Sequence, residues 1–101
     1  MSSTNPGLLA ILEAKPGKQD ALAEFLNSGL ALVAREPGTE SWYAFRITDM
    51  SFGIYDTFTD DEARRDHLAG PLAQALDDIA DELLASPPEI RPLDVLAAKL
   101  A

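Results

Sequence analysis

The chain has 101 residues, 47% hydrophobic and 25% charged, with a formal net charge of -9 at pH 7. That length suits one domain around a single core, and the composition is that of a soluble globular protein. The acidic balance argues against nucleic acid, whose phosphates need basic patches, and against an anionic membrane surface.

Residues 1–6 have neither the basic nor the apolar region of a signal peptide. They are expected to be a disordered lead to a single domain over 7–101, with the cytoplasm as the default location. No apolar run approaches the roughly 20 residues needed to span a bilayer. The chain has no cysteine, so disulfides and thiolate chemistry are excluded.

Residues 7–14 form a short apolar run between Pro6-Gly7 and Pro16-Gly17, which favours a buried strand. From Lys18 the period changes. Leu22, Phe25, Leu26, Gly29, Leu30 and Val33 make the stripe of an amphipathic helix. Glu36-Pro37-Gly38-Thr39 stops it, and a type II turn there would use positive φ at Gly38. Residues 41–47 and 51–58 are aromatic-rich strand candidates, joined as a hairpin through Thr48-Asp49-Met50. Thr59 and Glu62 match a capping box, which predicts a helix to about Ala69. Gly70-Pro71 breaks it, and Pro71 suits the first position of a further segment. Leu72, Leu76, Ile79, Ala80 and Leu83 carry the apolar stripe on. Residues 89–96 read as a last strand, with Pro92 implying an edge or a bulge.

The order β-α-β-β-α-β predicts an α+β, ferredoxin-like fold: a four-stranded antiparallel sheet with two helices on one face. The strands are apolar on both faces. Trp42 and Ala44 alternate with Tyr43, Phe45 and Ile47, and Leu8, Ala10 and Leu12 alternate with Leu9 and Ile11. Helices can cover only one face, so the other is expected to pack against a second copy as an isologous homodimer.

These residues resemble the antibiotic biosynthesis monooxygenase domain family. The likeness rests on Lys15-Pro16-Gly17, on Glu36-Pro37-Gly38-Thr39 leading into Ser41-Trp42, on Tyr55-Asp56-Thr57-Phe58, and on His67-Leu68-Ala69-Gly70. It extends over residues 7–100. The resemblance implies a dimer of ferredoxin-like protomers with a pocket between helices and sheet. The family includes cofactor-free oxygenases of polycyclic phenols, haem-degrading enzymes, signal-molecule isomerases and proteins without known activity.

His67, the only histidine, matches the family's pocket-facing histidine and is the candidate base, since imidazole titrates near neutral pH. Its bland alternative is a structural histidine bonded to a carbonyl, to Asp56 or to Asp66. Trp42 and Tyr55 are candidate walls for a flat aromatic ligand. Because Trp42 and Tyr43 alternate, only one of them can face a given pocket unless the strand is bulged. Arg46 and Asp56 are candidate polar contacts, with a salt bridge as the simpler reading, and Arg64 and Arg65 read as a solvated face.

The resemblance also places a proximal histidine beyond Gly70, an asparagine in the first strand and a tryptophan near the end of the third strand in haem-degrading members. Residues 71–84 lack the first, 7–14 the second, and Phe58 falls near the third, so haem ligation is not expected. No His/Asp/Glu cluster suits a metal and no glycine-rich loop suits a dinucleotide. Any activity would run without a tightly bound cofactor. The leading expectation is therefore a cofactor-independent monooxygenase of aromatic or quinol-type small molecules. The alternatives are a non-catalytic ligand-binding or accessory dimer, and a structural subunit of a larger assembly.

Overall fold

Alternation of Leu8, Ala10 and Leu12 with half-buried Leu9, Ile11 and Glu13 makes residues Asn5–Glu13 a strand, β1, with one fully covered face. The computed structural model describes residues 5–100. β1 begins two residues before the expected start. Asn5 and Pro6, expected in the lead, pair with Val95 and Asp94 of the last strand; residues 1–4 of that lead lie outside the described residues. After Gly17, whose φ is +80°, helix α1 runs over Gln19–Val33 and buries Leu22, Leu26, Gly29 and Val33. Leu30, counted in the apolar stripe, is 57% exposed, so that stripe is narrower than its periodicity suggested.

Strands β2 (Thr39–Arg46) and β3 (Ser51–Phe58) form the expected hairpin. Helix α2 (Asp61–Leu68) and helix α3 (Pro71–Leu83) are one helical arm broken at Gly70-Pro71, with Pro71 opening the second piece. β4 (Glu89–Val95) closes the chain. The four strands make one antiparallel sheet in the order β2-β3-β1-β4. That is the ferredoxin-like arrangement, with Pro92 in an edge strand as expected.

The core lies between the sheet and the helices. Leu12, Phe52 and Ile54 from the sheet meet Leu22 and Leu26 from α1 and Leu76 from α3. Burial at ~25 cal/mol per Å2 of apolar surface makes this layer the main source of stability. The other face of the sheet stays open, with Tyr43, Phe45 and Ile47 exposed. Tyr43 stacks on Tyr55 there, with ring centroids 6.2 Å apart.

Three local details differ from expectation. Gly38 does not adopt positive φ, since Gly17 is the positive-φ glycine among the described residues. Space is the reason for glycine instead: a Cβ on Gly38 would lie 2.5 Å from the Ala63 Cβ, so the turn packs directly on α2. The cap of α2 is Asp60, whose carboxylate accepts from the Ala63 N–H at 2.8 Å. Asp60 takes the role assigned to Thr59 because the helix starts one residue later. Arg64 is not a solvated side chain. Its Nη1 donates to the carbonyls of Gly7 and Leu93, each at 3.2 Å, tying α2 to β1 and β4.

Candidate active site

Three elements converge on His67. It sits in the last turn of α2, where the helix dipole favours positive charge. It is buried, with 7% of its surface exposed. On one side Nδ1 lies 2.6 Å from Glu36 Oε1, in the turn that follows α1. On the other side Nε2 lies 3.1 Å from Asp56 Oδ2, on β3. Phe58, two residues along the same strand face, packs against the ring with centroids 5.1 Å apart.

Burial disfavours the charged ring, but the hydrogen bonds and negative charges of Asp56 and Glu36 outweigh it and raise the His67 pKa above 6.5. In the protonated form that this favours, both nitrogens donate: Nδ1–H to Glu36 and Nε2–H to Asp56. An imidazolium held between two carboxylates has no lone pair left to take a proton.

Two acceptors in the cluster are free, Glu36 Oε2 and Asp56 Oδ1, and Asp56 is the more deeply buried residue. This residue is 1% exposed, and its Oδ1 is buried without a hydrogen-bond partner. Asp56 and His67 close one end of a small cavity of about 40 Å3 lined by Leu8, Ala10, Ile54 and Leu72. Leu68, Ala73, Leu76 and Ile90 also border it, and the same four residues wall a groove of about 350 Å3 running along α3 toward Pro88. The inner space suits a diatomic or a water molecule. The outer one has the size of a small-ligand pocket.

The other expected site residues divide between the two faces of the sheet. Trp42 is the cross-strand partner of Asp56 and lies on the helix side, where its ring meets Gly29 of α1. Its Nε1–H is buried and unpartnered. Tyr55 lies on the open face and lines a separate hollow with Tyr43, Thr57 and Leu96, so the structure does not bring it to His67. The register shift in β2 falls between Thr39 and Ser41, before Trp42, and therefore leaves Trp42 and Tyr43 on opposite faces. Arg46 is also remote. Its guanidinium stands over the Phe52 ring, 4.8 Å from the centroid, and forms no salt bridge within the chain among the described residues. Asp56 does form an ion pair, with His67.

Glu36 was missed as a site residue. Its place in a Pro-Gly turn gave it a structural reading, and only the folded chain brings it 31 positions along to His67. Asn5 alters one earlier observation, because β1 does contain an asparagine. It belongs to the open-face hollow with Tyr43 and Tyr55, across the sheet from His67. Glu36 and Asp56 contact different nitrogens of one ring and do not converge on a point. Among the described residues no group of three or more His, Cys, Asp or Glu is placed to hold a metal ion.

Set against solved structures, the chain matches a protein of unknown function from Nitrosomonas europaea at 44% identity, over 100% of this chain and 98% of that one, with a TM-score of 0.94. The chain belongs to that protein's family. A Pseudomonas aeruginosa protein matches at 25% identity over 96% of this chain and 99% of its own, with a TM-score of 0.81. A candidate antibiotic biosynthesis monooxygenase from Caulobacter crescentus matches at 20% identity, 92% and 91% coverage and a TM-score of 0.79. The fold is thus that of the antibiotic biosynthesis monooxygenase domains, as the motifs implied. No protein-family model and no curated protein matches the chain.

Proposed function

We propose that the chain binds a weakly acidic, largely apolar small molecule in the groove between α2–α3 and β4 and oxygenates it without a bound cofactor. The observation that carries this reading is Asp56 Oδ1: a buried, unpartnered acceptor on a residue that lines an apolar cavity. A phenol or enol O–H is the group such an acceptor receives. Asp56 therefore takes the base role first expected of His67, and His67 orients it from the other side.

Loss of the O–H proton leaves an electron-rich anion able to reduce dioxygen. For a methylene between aromatic rings, two C–H bonds are lost, one oxygen atom stays as a carbonyl and the other leaves as water. The substrate supplies every electron. The test is oxygen uptake with hydroxyanthracene-type phenols. Turnover that falls at least a hundredfold in Asp56→Asn, with the fold retained, supports the reading. Binding without oxygen uptake in the wild type overturns it.

A second reading, a non-catalytic ligand-binding dimer, is favoured by the inner cavity, whose roughly 40 Å3 leaves no room for a ring beside Asp56. Either reading places two copies face to face through Tyr43, Phe45 and Ile47, because such a patch is costly in water. A sedimentation mass of one chain at micromolar concentration would sink the dimer.

A further inference from the structure

A base inside an apolar cavity has a difficulty that geometry must solve. The proton it takes cancels its charge, and the charged ring beside it then loses part of what offsets its burial. Asp56 stands in that position, with 2% of its side chain exposed.

His67 borders a second hollow as well, a cleft of about 190 Å3 lined by Glu36, Gly38, Thr39, Gly70 and Pro71. Of the residues around the inner cavity and this outer cleft, His67 alone belongs to both. Its ring is the partition, with Asp56 on the inner side at 3.1 Å and Glu36 on the outer side at 2.6 Å. The outer carboxylate is held in place: Thr39 Oγ1 donates to Glu36 Oε1 at 2.7 Å. Its second oxygen, Oε2, is buried without a partner beside Gly70, where a Cβ would come within 3.5 Å of it, while the Glu36 side chain as a whole is 16% exposed. Arg35 and Asp66 are the other charged groups on the cleft wall.

We propose that Asp56, His67 and Glu36 form a charge-coupled proton relay across α2: when Asp56 takes a proton from the inner side, the ring releases its Nδ1 proton to the outer cleft, with Glu36 as the outlet. The need for it rests on Asp56 acting as the base. When a substrate O–H bond breaks, an O–H bond forms on Asp56 and its negative charge disappears. The imidazolium loses half of its support and is left with the burial that disfavours it. Its Nδ1–H bond breaks, an O–H bond forms on Glu36, and water in the cleft removes that proton. When Asp56 gives its proton back to the product, the ring recovers one from the cleft by the reverse path, so the buried cluster returns to the same net charge after each exchange and no net proton is released. His67 and Glu36 are positioning residues here, since neither touches the substrate.

The single histidine makes the test direct, because its ring nitrogens give one unambiguous pair of 15N signals. Exchange of the ring N–H protons with water is measured at a pH where the 15N shifts show a doubly protonated ring. Glu36→Gln keeps the shape and the acceptor for Nδ1–H but removes the outlet. Exchange at Nδ1 is expected to slow at least tenfold; a signal broadened away in the wild type and visible in the variant is the same result. Glu36→Asp, which withdraws the carboxylate from the ring, is expected to behave likewise and to recover with added formate. If Glu36 only braces the turn against α2, its loss loosens the partition. Exchange then stays the same or quickens, and either outcome overturns the relay. The measurement needs no substrate, so a failure of phenol oxygenation is read separately from a failure of the relay.

Discussion

Asp56→Asn asks what the buried negative charge contributes. Asparagine keeps the volume and can still accept from Nε2, so the change removes charge and little else. A hydrogen bond to a charged group contributes ~1.5–3 kcal/mol and a neutral one ~1 kcal/mol, a difference of roughly 1–2 kcal/mol. An orphaned buried ion would cost more, about 3–5 kcal/mol. That ceiling is not reached, because Glu36 still faces the ring at 2.6 Å and the ring can shed its proton at about 1.4 kcal/mol per pH unit.

The pH dependence has a definite sign. The folded pKa of His67 is raised above 6.5, so the folded state binds more protons than the unfolded one between 6.5 and the raised value. The stability this supplies is fully present below 6.5 and is lost as pH rises through the raised value. Asparagine lowers that value toward the unfolded one. The gap between wild type and variant is therefore widest on the acid side of 6.5 and closes with rising pH. Thermal unfolding in a series of buffers measures it, with a fall in Tm of ~4–16 °C expected on the acid side, at ~4–8 °C per kcal/mol. A gap that is constant, or that widens with rising pH, refutes the reasoning.

Asp60→Ala should cost ~1 kcal/mol in urea unfolding through loss of the α2 cap, and Thr59→Ala clearly less. Arg64→Met keeps the aliphatic stem but drops both bonds to the Gly7 and Leu93 carbonyls. A loss of ~1–3 kcal/mol follows, with amide exchange quickening first in β4. Gly38→Ala drives a methyl group into Ala63 and should destabilise by ~1–3 kcal/mol, seen as a lowered urea midpoint at unchanged slope.

Much of the fold was legible because local signals agreed with one another. The apolar run of β1, the helical stripe after Lys18 and the Gly70-Pro71 break each have a backbone cause that acts over a few residues. Register at helix ends is weaker, and Asp60 replaced Thr59 because two capping residues stand side by side. The site was legible only in part. His67 and Asp56 could be picked out as polar residues in apolar surroundings. Strand parity could separate Trp42 from Tyr43, but not say which of Trp42 and Tyr55 shares a face with His67. That depends on the pairing of β2 with β3, in which Trp42 stands opposite Asp56. Glu36 was out of reach, because nothing within a few residues of a Pro-Gly turn signals a partner on a helix two strands later.

The edge strand β4 has a consequence for how far association can go. A sheet with an open apolar face and two free edges risks growing sideways without limit. β4 carries Glu89, Arg91 and Asp94, and Pro92 removes one backbone donor from it. Lateral addition of another strand is thereby discouraged at that edge, while the face remains sticky. A face that meets its own copy is used up by one partner. In the dimer proposed above, association through that face would stop at two copies, with growth at the β4 edge discouraged.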